Sequence, residues 1–509
     1  LGFHQELRIF FQRMKLEGVT PNAITFSCSL KSVRTMETSR ELHSEIQRQG
    51  LERRDPFVGI ALVNAYAKSG SLGAASAVFE KLSIRNSVSW SVLLAGYVEC
   101  GHDQEALQCY KQMQTEGIFA NSSTIISMLM SCGSLRCREK GREIHVDIQQ
   151  KGLFGSHHAV GIALLDMYAK CGLIVAAEGV FNKLLVQDTI SWNVLLAGYV
   201  ENGLNSVALR CFKEMREKGV CPDAVTFSCC LRACLDKKTI YKGQEIDSEM
   251  RRWNIVEMDT VLCNSLINMY LKCGSISVAQ HIFDRLLVRD VISWTTLIAG
   301  YVEHKCSEEA FQCFELMQLE GLSPNPLTFA CILKAYNYLK DLEKLREIYN
   351  EIERQGLLKT DLVVGSALVS VYAKYGMLAM AKEMFEKLTS HDVVPWTALI
   401  TGYSEHGYAN EAFKCLQQME VEGVSSDSVK YICSLRSCTQ IEAMPKGKQI
   451  HCEITRDRSL KKNVFVDSCL VDMYARNGLF LEAYKVFNSL SGPNVVTWTS
   501  LVAGYSKYG

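Results

Sequence analysis

Four pairs of short polar side chains recur along the chain: Ser91 with Asn121, Asn193 with Asp223, Thr295 with Asn325, and Thr397 with Asp427. The members of each pair stand 30 residues apart, and each pair begins 102 residues after the one before. Hydroxyls, amides and carboxylates of this size donate and accept hydrogen bonds at short range. Ser, Thr, Asn and Asp are also the favoured helix N-caps. Capping accounts well for the second member of each pair. It accounts less well for the first, which falls inside an apolar helical pattern.

Two other sets of residues suggest chemistry and are better read as structure. "HSE" at His43 to Glu45 and "HCE" at His451 to Glu453 match half of the zinc-deaminase signature, in which a His binds metal and a Glu moves protons. The same rung carries Asp247 and Tyr349 in other repeats, and no P-C-x-x-C follows. These positions read as helix surface or groove. Trp90, Trp192, Trp294, Trp396 and Trp498 could offer stacking platforms for bases. Each opens an apolar helix at core spacing, and a related phrase has Phe26, Phe227, Phe329 and Tyr431 instead, so packing is the expected role. The sequence shows no phosphate-binding Gly loop, no nucleophile elbow and no metal-spaced Cys/His cluster. No catalytic residue, metal or cofactor is therefore expected.

The elements that position these residues are repeats. "SWNVLLAGYVENG" at Ser191 returns from Ser89, Ser293, Pro395 and Thr497. "ALLDMYAKCG" at Ala163 and "VTFSCCLRAC" at Val225 recur with the same period. Aligning the phrases gives three unit types of 35, 36 and 31 residues. The first type covers 87–121, 189–223, 291–325 and 393–427, with partial copies at 1–22 and 495–509. The second covers 23–55, 122–157, 224–259, 326–361 and 428–463, and the third 56–86, 158–188, 260–290, 362–392 and 464–494. Within a unit, apolar residues at three- to four-residue spacing break at a Gly or Asn and resume, which predicts helix, turn and helix. Ala106, Ala208, Ala310 and Ala412 would let the two helices close up. Gly96, Gly198, Gly300, Gly402 and Gly504 recur inside the first helix, which points to a tight inter-helix contact. The fold expected is an all-α solenoid, continuous over 1–509 and without separate domains.

Composition fits that reading. Hydrophobic residues make up 48% of 509, and 8 Pro against 34 Gly leave room for uninterrupted helices. No apolar run reaches the roughly 18 to 20 residues that span a bilayer, so no membrane partner is expected. Fifty-five basic and fifty-five acidic residues give zero formal charge, so any nucleic-acid binding must come from a local surface. The 21 Cys show no C-x-x-C and fall mostly in helical patterns, as buried apolar residues in a reducing compartment would.

The three phrases in fixed order resemble the P, L and S motifs of plant pentatricopeptide repeat proteins of the PLS subclass, over essentially the whole chain. The resemblance implies a right-handed superhelix of helical hairpins that binds single-stranded RNA, one nucleotide per repeat. It also implies work on organelle RNA in a mitochondrion or chloroplast, most often selecting a cytidine for conversion to uridine. An editing deaminase or accessory protein is an implied partner. In the family, the fifth and last residues of a unit read the base. The second residue, here Val88, Ile190, Ile292 and Val394 in the P-like units, wedges between bases.

Base chemistry agrees with the reading positions. Guanine and uracil offer a ring N–H that suits a carboxylate, whereas adenine and cytosine offer a ring acceptor that suits an amide donor. The family rule adds that a hydroxyl at the fifth position accompanies purine and Asn accompanies pyrimidine. Applied here, it gives A for Ser91 with Asn121, U for Asn193 with Asp223, A for Thr295 with Asn325 and G for Thr397 with Asp427. Among S-like units, Asn264 with Asp290 gives U, Ser366 with Asp392 gives G, and Ser468 with Asn494 gives A. Ile60, Ile162, Ile126, Ala330 and Ile432 are mute or poor readers. From Ser87 onward the pattern is A-N-N-U-N-U-A-N-G-G-N-A.

The chain begins and ends inside P-like motifs and shows neither an initiating Met nor an Arg- and Ser-rich leader, so it reads as a fragment without the family's C-terminal extension. The alternative is a protein-binding helical scaffold resembling tetratricopeptide repeats, which would share the hairpins and suit the neutral charge.

Overall fold

The phrase at Thr189 shows how each hairpin is made. Asp188 accepts the Ser191 amide at 2.9 Å and so caps the helix Thr189–Glu201. At the far end Gly203 takes a left-handed φ of +74°. The amides of Gly203 and Leu204 then close back on the carbonyls of Val200 and Tyr199 at 3.0 and 2.8 Å. The chain reverses and Asn205–Glu217 runs back against the first helix. At the same turn in the next P-like hairpin stands Lys305, held at φ +63° without the freedom of glycine.

The computed structural model describes residues 9–14, 16–33, 35–82, 84–252, 259–339, 341–424, 431–432, 434–436, 438, 444–456, 464–490, 492 and 494–508. Regular structure among them is helical. The chain divides into two compact units, Leu1–Ser265 and Leu266–Gly509. In the first, P-like hairpins Ser87–Glu99 with Asp103–Thr115 and Thr189–Glu201 with Asn205–Glu217 alternate with L-like and S-like hairpins such as Ser122–Ser134 with Arg138–Gln150 and His158–Lys170 with Ile174–Lys183. In the second, Val291–Glu303 with Ser307–Leu319 and Val393–Glu405 with Ala409–Val421 take the P-like places. Three L-like units end in an extra four-residue helical turn, Leu51–Arg54, Leu153–Ser156 and Leu357–Thr360, each following a left-handed glycine. The sequence reading had no place for that turn. No helix among the described residues is long and apolar enough to cross a membrane.

Two recurring contacts hold successive hairpins together. A Cβ built on Gly198 would stand 2.6 Å from the Cβ of Ala169, and one on Gly402 2.6 Å from that of Ala373. The glycine rung thus lets the first helix of a P-like unit meet the first helix of the preceding S-like unit. Trp90, Trp192, Trp294 and Trp396 are buried, edge-to-face on Phe79, Phe181, Phe283 and Phe385 with centroids 4.4–4.7 Å apart. Packing, not base stacking, is their role, as the spacing predicted. Trp498 is the exception: it meets Phe487 at 4.6 Å, yet remains 55% exposed. The alanine rung behaves as expected, with Ala106, Ala208, Ala310 and Ala412 all buried.

The histidine rung lies in a groove between hairpins, one of the two places the sequence reading allowed. His43, His145 and His451 are half-buried, and each Nδ1 is hydrogen-bonded to a tyrosine hydroxyl of the next unit. The partners are Tyr66 at 2.8 Å, Tyr168 at 2.7 Å and Tyr474 at 2.9 Å. Burial lowers the pKa of His145 and His451. Where the rung holds Asp247, its carboxylate takes Arg251 at 2.8 Å instead. The three histidines tie L-like to S-like hairpins, whereas Asp247 and Arg251 pair within one helix. Among the described residues no three His, Cys, Asp or Glu converge on a possible metal position.

Candidate functional site

The paired positions meet where one unit passes into the next. The last residue of a unit is the N-cap of the following first helix. Asn121 accepts the Thr124 amide at 2.9 Å, Asp223 that of Thr226 at 2.8 Å, and Asn325 that of Thr328 at 2.8 Å. Asp290, Asp392 and Asn494 cap in the same way, onto Ser293, Val394 and Thr497. The capping explanation of the last position is correct, but it describes only one end of the side chain.

The fifth residue engages the same cap. Asn193 Nδ2 donates to Asp223 Oδ1 at 2.9 Å, and Ser91 Oγ donates to Asn121 Oδ1 at 3.0 Å. Thr295 reaches Asn325 through Thr328, whose hydroxyl lies 2.7 Å from Thr295 Oγ1 and donates to Asn325 Oδ1 at 2.8 Å. Thr397 donates to the Val393 carbonyl at 2.6 Å; its partner Asp427 lies outside the described residues. Among the S-like pairs, Ser366 donates to the Leu362 carbonyl at 2.6 Å while Asp392 caps its own helix, and the two share no hydrogen bond among the described residues. Asn264 and Ser468 are buried in their first helices.

These bonds determine what each last residue can still offer. In Asp223, one oxygen accepts from the Thr226 amide, the Thr226 hydroxyl and Asn193. Oδ2 is what remains, an acceptor only. In Asn121, the carbonyl oxygen accepts from Thr124 amide and hydroxyl and from Ser91. The amide Nδ2, a donor only, is what remains. Asn325 is arranged likewise. Burial opposes ionisation of Asp223, but the Thr226 amide, Asn193 and the Thr226 hydroxyl together hold its pKa below the ordinary carboxylate value. The group therefore stays an acceptor at neutral pH.

The second residues lie three positions before the fifth and so are neighbours on one helix face. Val88, Ile190, Ile292 and Val394 are all apolar and 51–59% exposed. Scattered exposed apolar residues are ordinary. A β-branched residue exposed at the same rung in every P-like unit is a constructed surface. The rung extends further than the sequence reading took it, to Ile24, Val225, Leu327, Val261 and Val363 in L- and S-like units, all exposed. Reasoning from sequence also missed Thr124, Thr226 and Thr328, which are fully buried and bridge the fifth and last residues. The signal was present as N-x-x-T or D-x-x-T at Asn121, Asp223 and Asn325, a capping-box pattern that the fourth junction, Asp427 to Lys430, lacks.

Helical hairpins in tandem, with polar pairs and exposed apolar residues repeated at fixed rungs, define a helical-repeat protein whose site is distributed over its units. Family profiles described as "PPR repeat family" match residues 187–236 and 289–338. Others described as "PPR repeat" match 88–118, 163–188, 261–291, 366–393, 394–424 and 468–492. A chloroplastic pentatricopeptide repeat-containing protein of Arabidopsis thaliana is 31% identical over 454 residues, which are 89% of this chain and 73% of that one. The chain belongs to the pentatricopeptide repeat family. A second relative from the same plant, the chloroplastic protein DOT4, is 32% identical over 499 residues, 97% of this chain and 57% of the relative. The chain thus spans little more than half the length of DOT4. Its fold is that of the pentatricopeptide repeat protein PPR10 crystallised with an 18-nt psaJ RNA element, with a TM-score of 0.62 at 19% identity, covering 99% of this chain and 75% of that one.

Proposed function

We propose that this chain binds single-stranded RNA by sequence, one base per repeat, and serves as a specificity factor for C-to-U editing or processing of organelle RNA. The observation that carries the reading is the hydrogen-bonding group left over on three of the last residues, an acceptor on Asp223 and a donor on Asn121 and Asn325. That difference matches the difference between uracil or guanine and adenine or cytosine at the pairing edge. The exposed second residues supply apolar flanks for the bases. Repeats of this family are known to read RNA one base per unit, and the RNA bound to PPR10 supports the same use of this fold. The names of the Arabidopsis relatives, chloroplastic in some and mitochondrial in others, support one of those two compartments. The chain's role is selection; the chemistry on the selected base is assigned to an editing deaminase or accessory protein acting with it.

Fluorescence anisotropy at fixed salt tests this, comparing a 12-mer of pattern A-N-N-U-N-U-A-N-G-G-N-A with one in which every specified base is exchanged. The expected result is at least tenfold tighter binding of the first. Weak and equal binding of both would sink the reading and favour a protein-binding scaffold, which the zero net charge suits.

A further inference from the structure

The P-like hairpins share one framework, so a departure in one of them is measured against the others. At 291–325 the buried indole of Trp294 donates from Nε1 to Glu320 at 3.0 Å, and Glu320 also receives Arg289. The same rungs pair Glu116 with Arg85 and Glu422 with His391. At 189–223 the acid is gone. Lys218 stands at the glutamate's rung and donates to Gln187, at the arginine's rung, at 3.0 Å. Two more acids disappear with it. Asn182 stands where the other hairpins have Glu80, Asp284 and Glu386, and Val207 where they have Glu105, Glu309 and Glu411. Arg210 adds a cation where two of them have Gln108 and Gln312.

Asn182, Val207, Arg210 and Lys218 border one cavity of about 300 Å³ between the helices Ile174–Lys183, Thr189–Glu201 and Asn205–Glu217. Trp192 lines it, 1% exposed, with its Nε1 left without a hydrogen-bond partner. An unpaired buried N–H is costly, and a bound acceptor would relieve it. Lys218 Nζ lies 5.0 Å from the centroid of the same ring. Trp90 and Trp396 also have an unpartnered Nε1, but a glutamate still occupies the matching rung beside each. Two acids border the cavity as well: Glu178, which accepts the Tyr199 hydroxyl at 2.6 Å, and Glu214. With two cations and two acids at the rim, a single added negative charge is tolerated better than two.

We propose that this cavity binds a small monocarboxylic acid. Its carboxylate takes the place that Glu320 fills in the sister hairpin, accepting from Trp192 Nε1 and pairing with Lys218 and Arg210. Its apolar body rests on Phe181, Leu195 and Val207.

The probe is sodium benzoate, read by 19F NMR on the full chain labelled with 5-fluorotryptophan. The Trp192 resonance is assigned by its loss in Trp192→Phe. Benzoate is expected to shift that resonance saturably, while neutral benzamide and inorganic phosphate leave it in place. Lys218→Glu, which returns a carboxylate to the indole, is expected to weaken benzoate binding at least tenfold. If circular dichroism shows that variant unfolded, Lys218→Gln takes its place, with weaker binding again expected. No saturable shift, an equal response to benzamide or phosphate, or unchanged affinity in the folded Lys218 variant would each overturn the proposal.

Discussion

Asp223→Asn is the most direct probe of the paired positions. The substitution is isosteric, and the oxygen that accepts from Thr226 and Asn193 at 2.8–2.9 Å has a counterpart in the amide carbonyl. The helix cap is thereby kept. Loss of a charge near the helix N-terminus costs about 0.3–1 kcal/mol of stability. What changes is the remaining group, from the acceptor Oδ2 to a donor Nδ2. Opposite uracil the new donor faces a ring N–H, so two donors meet; opposite cytosine it faces an acceptor. An unsatisfied polar group of this kind costs about 1–3 kcal/mol, which at 1.4 kcal/mol per decade is roughly a 5- to 150-fold change in affinity. Wild type should prefer U over C at the fourth base of the 12-mer by a factor in that range, and the variant should prefer C. Anisotropy titrations of the two oligomers against both proteins give the four constants. An unchanged U-to-C ratio in a folded variant would show that the last residue caps the helix and reads nothing.

Other perturbations follow from the framework. Lys305→Gly should stabilise the second unit by about 1 kcal/mol, because the left-handed conformation that Lys305 adopts costs a side-chain-bearing residue that much; thermal or urea unfolding measures it. Gly198→Ala should destabilise by about 1–3 kcal/mol through overlap with Ala169, despite alanine's better helix propensity, and Ala169→Gly in the same chain should restore most of the loss. In the native protein, Ellman's reagent at neutral to mildly alkaline pH should react quickly with the exposed Cys28, Cys221 and Cys452. Cys132, Cys211 and Cys313, whose pKa burial pushes up to about 12, should react only after unfolding. Burial opposes ionisation of Asp188, but the Ser191 amide and His158 outweigh it and hold its pKa below the ordinary value. Its contribution to stability is therefore complete above about pH 4 and lost as pH falls through the lower folded value. The melting-temperature gap between wild type and Asp188→Asn should be complete above the ordinary carboxylate range and narrow as the pH falls below it.

The hairpins were legible because their signals are local: an Asn or Asp cap, apolar residues at helical spacing, then a glycine such as Gly203. The glycine rung at Gly198 declared a close contact, although its partner, Ala169, is fixed only by how S-like and P-like units stack. What could not be read is what lies between phrases. Thr226 looks like part of an apolar helix start, and its bond to Asn193 joins residues 33 apart. His145 and Tyr168 likewise belong to different phrases, so the bond between them could not be read from either one. The exchange of an arginine–glutamate pair for Gln187 and Lys218 was visible in the letters, but it has meaning only once the rungs are known to touch.

The sharing of one oxygen between helix cap and fifth residue also bears on how such a chain can change over generations. Asn and Asp both satisfy the cap, so on the proposed reading an exchange between them would alter the letter read without altering the folding unit. Codons for the two residues differ by a single nucleotide. If the last residue reads a base as proposed, target preference could drift one base at a time across a repeat array whose architecture is left undisturbed, and selection on the transcript would be uncoupled from selection on the fold.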